Sequence, residues 1–354
     1  MRDRPAVLIR AEDADGVVGW GEVWCNFPSC GAEHRVNLLE TEVVPRLVGL
    51  TISDPSDIFR QLTIDLQMLV NQSGEAGPVA QVLAGTDIAL WDIASRREGQ
   101  PLWRYLGGNS GVIRAYASGI NPDNPTAIVK KKLAEGYSAF KIKVGFGDEL
   151  DRQNLEKVRK LLGPDLLLMA DANQAWNLPD AKRMIESISH LELLWIEEPL
   201  PVHSSRSNWE ALSQSISVDL AGGENIRGEE NFKTMVDGRL FRYIQPDVGK
   251  WGGISGCLAV AKYARRSGLI YCPHWLGSSV GLMASAHLLA AAGGSGQLEV
   301  DANPNPLRDH LFTGFPTPVN GSLQLDESPG LGGYPDPDSF ERYAHPRSTK
   351  FNAT

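Results

Sequence analysis

Ionisable residues recur at a regular interval between residues 143 and 299. Each closes a short apolar run, and successive members are 28, 26, 27, 23, 27 and 25 residues apart. A single charged residue after an apolar run usually begins a solvated loop, but seven in phase fit that interpretation poorly. In a barrel of parallel strands all seven would meet at the mouth formed by the C-terminal strand ends, where active sites are built. The seven are Lys143, Asp171, Glu197, Glu224, Asp247, His274 and Glu299.

Three of these residues are carboxylates at the ends of consecutive runs, namely Asp171, Glu197 and Glu224. Converging carboxylates repel one another, and their pKa values rise unless a cation lies between them. Mg²⁺ takes oxygen ligands and keeps open coordination positions. Salt bridges to lysines are the alternative, and they are disfavoured because none of the three runs carries a basic residue. We therefore expect one Mg²⁺ per subunit, bound by these three side chains.

Two lysines precede the first loop. Lys141 and Lys143 are two residues apart on one predicted strand, so both side chains point to the same face. Neighbouring ammonium groups lower each other's pKa, which makes one of them a plausible base near neutral pH. A solvated lysine pair is the alternative, but Ile142 and Val144 would then face the surrounding helices and leave the lysines inside the barrel.

A carboxylate and an imidazole end neighbouring predicted strands. Asp247 beside His274 would fix the tautomer of the ring and raise its basicity. Of the seven histidines in the chain, only His274 ends a strand opposite an acid. Glu299 ends the last strand, and in a protonated form it could donate a hydrogen bond to a developing oxyanion.

Alternating strand and helix patterns position these residues. From residue 112 onward, eight apolar runs are separated by helical patterns, which indicates parallel β-α units that close into a barrel. An open doubly wound sheet is the alternative, although no GxGxxG follows the first strand. The runs are 112–117, 139–144, 166–171, 193–198, 218–223, 242–247, 269–274 and 297–302, and the helical patterns include 125–136, 149–163, 180–190, 229–238, 255–268 and 279–294.

The remaining segments have different patterns. Residues 7–13 and 17–23 read as a hairpin, and helical patterns follow at 34–49 and 79–106. The tail after residue 302 is rich in Pro and Gly and has no β-α period, so we expect it to pack back on the first domain. The predicted division is a capping domain over 1–110, a barrel over 111–302 and a tail over 303–354.

Composition excludes several classes of protein. The 354 residues carry a net charge of −9, with 42% hydrophobic and 22% charged residues, as is ordinary for a globular chain. The acidic balance argues against nucleic-acid binding. The longest apolar stretch, 280–292, contains His287 and is shorter than the about 18 residues of a membrane span. The start lacks the apolar core of a signal peptide, and the four cysteines form no CxxC pair. We expect a soluble cytoplasmic protein with reduced thiols.

Motifs over nearly the whole chain resemble the enolase superfamily, in particular the mandelate racemase subgroup of the mandelate racemase/muconate lactonizing enzyme family. Any one motif is weak, but all of them in this order are specific. They are KIKVGFG (141–147), DANQAW (171–176), WIEEP (195–199), GGENI (222–226), QPDVGKWGG (245–253), PHWLG (273–277) and LEVDANPNPLRD (298–309). Residues 88–108 resemble the segment that joins the family's capping domain to its barrel.

The resemblance implies a fold and a set of roles. The fold is a (β/α)7β TIM-like barrel with an N-terminal α+β capping domain completed by the C-terminal tail. Three side chains match the Mg²⁺ ligands: Asp171, Glu197 and Glu224. Lys143 and His274, the latter oriented by Asp247, match bases on opposite faces of the substrate. Further matches are Lys141 at the substrate carboxylate, Asn173 at the substrate, Glu299 as the acid that bonds the intermediate, and Glu198 and Lys250 as supporting neighbours.

The activity implied is abstraction of the proton α to a carboxylate through an enediolate. The outcome would be dehydration or racemisation/epimerisation of a hydroxy acid. Cycloisomerisation of a lactone, a catalytically silent binding protein and a Schiff-base aldolase using Lys143 remain alternatives. Polar residues in 24–28 and 71–75, among them Asn26 beside Trp24, favour a sugar acid over an aromatic acid, because buried polar groups need partners. Asp301, Asn303 and Arg308 add polar capacity near the mouth. We also expect a homo-oligomer, between a dimer and an octamer.

The chain departs from the family pattern at its start. The family's capping domain usually opens with a strand and a mobile loop before the segment that begins here at Arg4. We expect either a truncated start or a shorter lid, which bears on the specificity loop more than on the catalytic groups.

Overall fold

The computed structural model describes residues 4–312 and 314–344. Residues 1–3, 313 and 345–354, which include the ends of the predicted first and last segments, lie outside the described residues. The chain begins with the predicted hairpin, in which β1 (Val7–Glu12) pairs antiparallel with β2 (Val18–Val23). Helices follow: α1 (Gly31–Leu38), a π-helical turn (Leu39–Val43), α2 (Val44–Leu47), α3 (Pro55–Asp65), α4 (Gln67–Ser73), α5 (Ala76–Arg97) and α6 (Leu102–Tyr105).

The hairpin packs directly on the long helix α5 because β2 has glycines at the contact. A Cβ atom at Gly21 would lie 1.9 Å from the carbonyl oxygen of Gly85, and one at Gly19 would lie 2.3 Å from that of Ala89. Two helices, α3 and α4, were not predicted. The start of α3 does carry a signal, since Asp54 accepts a hydrogen bond from the Ser56 amide and a proline follows at the first helical position.

Eight parallel strands form the barrel in the described part of the chain, in the hydrogen-bonded order β10-β3-β4-β5-β6-β7-β8-β9. Across the remaining seam, the Gln297 amide donates to the Cys272 sulfur at 3.4 Å, so the barrel is nearly closed. The strands are β3 (Val112–Ile120), β4 (Ala139–Lys143), β5 (Leu167–Asp171), β6 (Trp195–Glu197), β7 (Asp219–Gly222), β8 (Tyr243–Ile244), β9 (Ile270–Tyr271) and β10 (Gln297–Asp301). Each of the eight predicted runs overlaps one of them, and β3 extends three residues beyond its run.

Seven helices connect these strands, as a (β/α)7β barrel requires. One of them, α10, was not predicted, because only Trp209 and Leu212 of its eight residues are buried and its apolar pattern is short. The helices are α7 (Pro125–Ala134), α8 (Asp148–Leu162), α9 (Leu178–Ser187), α10 (Arg206–Ser213), α11 (Glu229–Gly238), α12 (Gly253–Arg266) and α13 (Ser279–Ala292), with a 3-10 turn at Ser189–Leu191. None of the described helices is both long and apolar enough to cross a membrane.

The barrel interior has an aromatic floor, formed by Tyr116, Trp195 and Tyr243. The ring centroids of Tyr116 and Trp195 are 5.4 Å apart, and those of Trp195 and Tyr243 are 4.6 Å apart. The Lys141 ammonium lies 5.4 Å from the centroid of the Tyr116 ring. Ile142, the next residue of β4, belongs to the core between strands and helices. The alternation predicted for β4 is therefore confirmed.

The tail returns to both parts of the molecule. Its elements are α14 (Pro306–Asp309), β11 (Ser322–Gln324), which pairs antiparallel with β3, and α15 (Pro337–Tyr343). The Leu331 amide donates to Asp92 of α5 at 2.8 Å, and Phe340 packs edge-on against Trp20 of β2. The predicted fold class is confirmed, whereas the predicted domain boundaries stay a prediction. All four cysteines lie among the described residues and are free.

A buried carboxylate of α5 predicts a pH dependence of stability. Asp87 accepts hydrogen bonds from the Ser255 amide at 2.9 Å and hydroxyl at 2.6 Å. Burial raises the pKa of Asp87 from 3.8 to about 7, against the opposing effect of these bonds. Between those values the folded chain binds more protons than the unfolded one, so this contribution to the free energy of unfolding falls as pH rises and is constant above about pH 7.

Asp87→Asn removes that titration. We compare the free energies of unfolding of the unsubstituted protein and of Asp87→Asn. The difference, unsubstituted minus substituted, should grow by up to roughly 4 kcal/mol on going from neutral pH to about pH 4. Urea unfolding of both proteins across this range measures the difference, in which titrations common to both proteins cancel. A difference that is constant with pH would contradict the prediction.

Candidate active site

The strand ends bring the predicted residues to one mouth. Lys143 stands opposite Asp171 in the sheet register, and Asp171 stands opposite Glu197. Asp247 and His274 pair as an isolated bridge just beyond β8 and β9. The residues that recur at a regular interval in the sequence therefore lie at one level of the barrel.

The two lysines form ion pairs with carboxylates from other strands. The Lys141 Nζ lies 2.6 Å from Glu197, 2.7 Å from Glu299 and 3.7 Å from Asp171, and its side chain is fully buried. The Lys143 Nζ lies 2.6 Å from the same Asp171 oxygen. Both lysines face inward, as predicted.

The prediction that these lysines have lowered pKa values is wrong for this arrangement. Burial lowers the pKa of Lys143 and so does Lys141, but Asp171 raises it, and the net value lies above the ordinary one. Burial likewise lowers the pKa of Lys141, yet Glu197 and Glu299 hold it well above its ordinary value. Carboxylates from other strands outweigh the repulsion between the two ammonium groups.

The predicted dyad is present. The His274 Nδ1 lies 2.6 Å from Asp247, and its Nε2 lies 2.5 Å from Glu224. The second Asp247 oxygen accepts from the amides of Gly249 and Lys250 at 2.8 and 2.9 Å, which fixes the carboxylate. Burial lowers the pKa of His274, but Glu224 and Glu299 raise it well above its ordinary value.

Each of the three predicted metal ligands is paired with a cation from elsewhere in the fold. Asp171 contacts Lys143, Glu197 contacts Lys141, and Glu224 contacts His274 and, at 3.1 Å, Lys250. Such pairing was not expected from the strands that carry the carboxylates, because the cations come from other elements. Burial raises the pKa of Glu197 to about 7, although Lys141 opposes this effect. Burial also raises the pKa of Glu224, but His274 and Lys250 hold it well below its ordinary value.

The carboxylates nevertheless suit a hard cation. Within residues 4–312 and 314–344 no three acidic, His or Cys side chains already enclose a metal position. One oxygen of Glu197, Oε1, is buried and has no hydrogen-bond partner among the described residues. An unpartnered buried oxygen is costly, and three carboxylates supply the oxygen donors that Mg²⁺ prefers. The residues therefore fit the predicted metal, which would compete with the lysines and His274 for these oxygens.

Glu299 differs from its predicted protonation state. Burial raises the pKa of this carboxylate, but Lys141 and His274 lower it further, and the net pKa lies below the ordinary value. The Ser118 hydroxyl and the Trp275 amide donate to its two oxygens, the latter at 3.2 Å. Glu299 is thus an acceptor here and not the donor that was predicted.

Neutral polar residues that the sequence analysis did not assign complete the mouth. The Gln245 amide donates to Glu197 at 2.7 Å, and Asn225 donates to both Glu198 and Glu224, at 2.8 and 2.9 Å. Gln245 stands two residues before Asp247, so the alternation along an extended segment could have identified it.

The predicted substrate-binding residues Asn173, Trp24 and Asn26 differ from one another in their contacts and exposure. The Asn173 side chain donates to Asp171 at 2.6 Å and is exposed. Trp24 of the cap lies over Lys250, whose Nζ is 5.1 Å from the ring centroid. Asn26 follows Trp24 by two residues in the sequence and is half-buried.

Other proposed pocket residues serve the local fold. In the 71–75 segment, Asn71 and Ser73 belong to the end of helix α4, are exposed, and hydrogen-bond within that helix. Asp301 is held by Arg4 and Asn303. Arg308 donates to main-chain oxygens of Asp301 and Asn303 and pairs with Asp309 at 2.7 Å.

Two family models match the chain. The model of the mandelate racemase/muconate lactonizing enzyme N-terminal domain matches residues 1–107, and the model described as enolase C-terminal domain-like matches residues 126–339. The chain belongs to the mandelate racemase/muconate lactonizing enzyme family. The resemblance inferred from the motifs is thereby confirmed.

Solved structures of this family have the same fold. A mandelate racemase/muconate lactonizing enzyme from Bordetella bronchiseptica RB50 is 51% identical, with a TM-score of 0.92 over 96% of this chain and 94% of its own. A racemase from Streptomyces coelicolor A3(2), solved with bound magnesium, is 25% identical, with a TM-score of 0.83 over 95% and 90% of the two chains.

Several curated relatives are enzymes of sugar-acid chemistry, and another is the o-succinylbenzoate synthase of Geobacillus kaustophilus. The D-galactarolactone cycloisomerase of Agrobacterium fabrum is 30% identical over 345 residues, which cover 93% of this chain and 88% of the relative. Further relatives are dehydratases of sugar acids.

Proposed function

We propose that the protein is a Mg²⁺-dependent enzyme that abstracts the proton α to a carboxylate of a sugar acid and passes through an enediolate. The observation that carries this proposal is the position of two candidate bases, Lys143 on β4 and His274 after β9, on either side of the carboxylate cluster. The reaction that follows would be dehydration or racemisation/epimerisation.

Asp171, Glu197 and Glu224 would hold the metal. When bound, Mg²⁺ supplies positive charge at the substrate carboxylate, where the enediolate develops its second negative charge. Lys141 adds a fixed cation in the same place, because its buried ammonium already contacts Glu197 and Glu299. Preorganised groups of this kind each contribute roughly 3–4 kcal/mol to lowering the barrier.

The two bases would act on opposite faces of the α-carbon. Lys143 takes or returns the proton on one face through Nζ. On the other face His274 uses Nε2, because Asp247 holds the Nδ1 side of the ring at 2.6 Å. In a dehydration, His274 would instead protonate the departing β-hydroxyl group. Competition of a metal for Asp171 and Glu224 would free both bases from their present partners.

Cycloisomerisation of a sugar-acid lactone is the second candidate. It is supported by the Agrobacterium relative, which acts on such a lactone by name. The two bases and three carboxylates required for proton abstraction are all present, which makes a silent binding protein the weaker alternative.

A substrate screen tests the proposal. We expect deuterium incorporation at the α-carbon, epimer formation or 2-keto acid production in D₂O with Mg²⁺ from an aldonic acid, an aldaric acid or a lactone of either. Polar cap residues such as Asn26 would be buried without partners by an aryl substrate, and sites built for hydroxyl groups can reject analogues lacking them by about 10⁴-fold.

Mandelate is the matched control in that screen, and it should not react. Turnover of mandelate without activity on any sugar acid would contradict the proposed substrate class. Borohydride should trap no adduct, whereas a trapped adduct on Lys143 would indicate a Schiff-base aldolase.

A further inference from the structure

A carboxylate of the capping domain reaches the segment that carries His274. Glu22 lies on β2, and its side chain is 2% exposed. Its two oxygens accept hydrogen bonds from the Ser278 amide at 2.7 Å, from the Ser278 hydroxyl, and from the Gly281 amide at 2.8 Å. Three donors of one barrel segment are thus bound by a residue 256 positions away in sequence.

The segment from His274 to Ser278 is a compact unit. The His274 amide donates to the Pro246 carbonyl at 3.2 Å, and the Trp275 indole donates to the Ser278 carbonyl at 2.9 Å. The Trp275 ring packs so tightly that a Cβ atom at Gly281 would lie 2.1 Å from it, and one at Gly249 would lie 2.6 Å from it. Ser278 is therefore linked to His274 through the tightly packed Trp275.

Glu22 and Ser278 share the N-terminal amides of helix α13. Ser278 already caps α13 with its own side chain, which accepts from the Val280 amide. Burial raises the pKa of Glu22 to about 7, even though its Ser278 and Gly281 partners lower it. Glu22 completes the cap of α13 through the Gly281 amide, and it also holds the amide and hydroxyl of Ser278, which belongs to the segment that carries His274.

We propose that Glu22 is a positioning residue for His274, and that through it the capping domain sets the orientation of one of the two bases. This inference rests on the proposed function. Lys143 is held differently, within strand β4 by pairing with β5 and by Asp171. Loss of the Glu22 carboxylate should therefore affect the two faces unequally.

Glu22→Gln tests the proposal by solvent exchange of the α-proton from each configuration of an epimeric substrate pair. We expect a loss of about 10- to 100-fold for the configuration that depends on His274, and less than about twofold for the one that depends on Lys143. Ser278→Ala removes the hydroxyl that donates to Glu22 and caps the Val280 amide but keeps both amides bound by Glu22, and it should reproduce the same selectivity with a smaller loss. Equal losses for the two configurations, or none, would overturn the proposal.

Asp92→Asn is the matched control. Asp92 is another buried cap carboxylate, and it accepts amide hydrogen bonds from Trp20 and Leu331, away from the mouth. Its substitution should leave the ratio of the two exchange rates unchanged. A change in that ratio equal to that of Glu22→Gln would mean that general destabilisation produces the effect, and the proposal would fail.

A second measurement does not need a substrate. Amide hydrogen exchange over residues 275–281 should be at least about tenfold faster in Glu22→Gln, and exchange over residues 139–143 should be unchanged. Unaltered exchange over 275–281 would overturn the positioning role. If no sugar acid exchanges its α-proton in the unsubstituted protein while this local effect is present, the proposed function fails and the contact by which Glu22 holds residues 275–281 stands.

Discussion

Glu224→Gln should abolish Mg²⁺ binding at the mouth and lower turnover of the sugar acid identified by the screen at least about 10³-fold. The substitution removes one of three ligand charges and leaves a side chain of the same size. Isothermal titration with Mg²⁺ measures the affinity, and far-UV circular dichroism establishes that the barrel remains folded.

Glu198→Gln is the matched control for this substitution. Glu198 neighbours the proposed ligands without being one of them, and burial, Glu224 and Glu197 raise its pKa to about 8. Its partners are the amide groups of Gln174 and Asn225 rather than cations. Metal affinity should therefore change little. Full activity of the unsubstituted protein or of Glu198→Gln after chelation of all divalent cations would contradict the proposed metal dependence.

Substitution of the two bases should separate the two faces of the substrate. Lys143→Ala should lower the rate of α-proton exchange from one configuration by about 10²–10⁴-fold. His274→Asn should lower the rate from the other configuration by a similar factor. Exchange of both epimers in D₂O, followed by NMR, gives the four rates.

Lys143→Arg is the control for charge. Arginine can retain the pairing with Asp171, which stands 2.6 Å from the lysine, but it cannot act as a base because it remains protonated. Lys143→Arg should therefore be as inactive as Lys143→Ala on the Lys143-dependent configuration. Wild-type exchange of both epimers by either single variant would refute the two-base assignment.

The regular spacing of the ionisable residues was predictable because each β-α unit has a characteristic length. In each unit the ionisable residue stands at the end of the strand. The inward direction of Lys141 and Lys143 followed from alternation along β4, and the proximity of Asp247 to His274 followed from neighbouring strands. These properties depend on local spacing, which a sequence contains.

Charge states were not predictable in the same way. The pKa of Glu299 depends on Lys141 and His274, which come from two other strand ends. Neighbours across a barrel have no fixed separation in sequence, so the expectation of a protonated Glu299 was wrong. The contact of Glu22 with Ser278 is hidden for the same reason, since it joins two domains.

The aromatic floor has a consequence for isotope experiments. Tyr116, Trp195 and Tyr243 close the barrel below Lys141, so a proton held by either proposed base would exchange with water through the mouth. Under the proposed mechanism, deuterium that appears at the α-carbon would therefore enter from the side of the barrel on which the substrate lies.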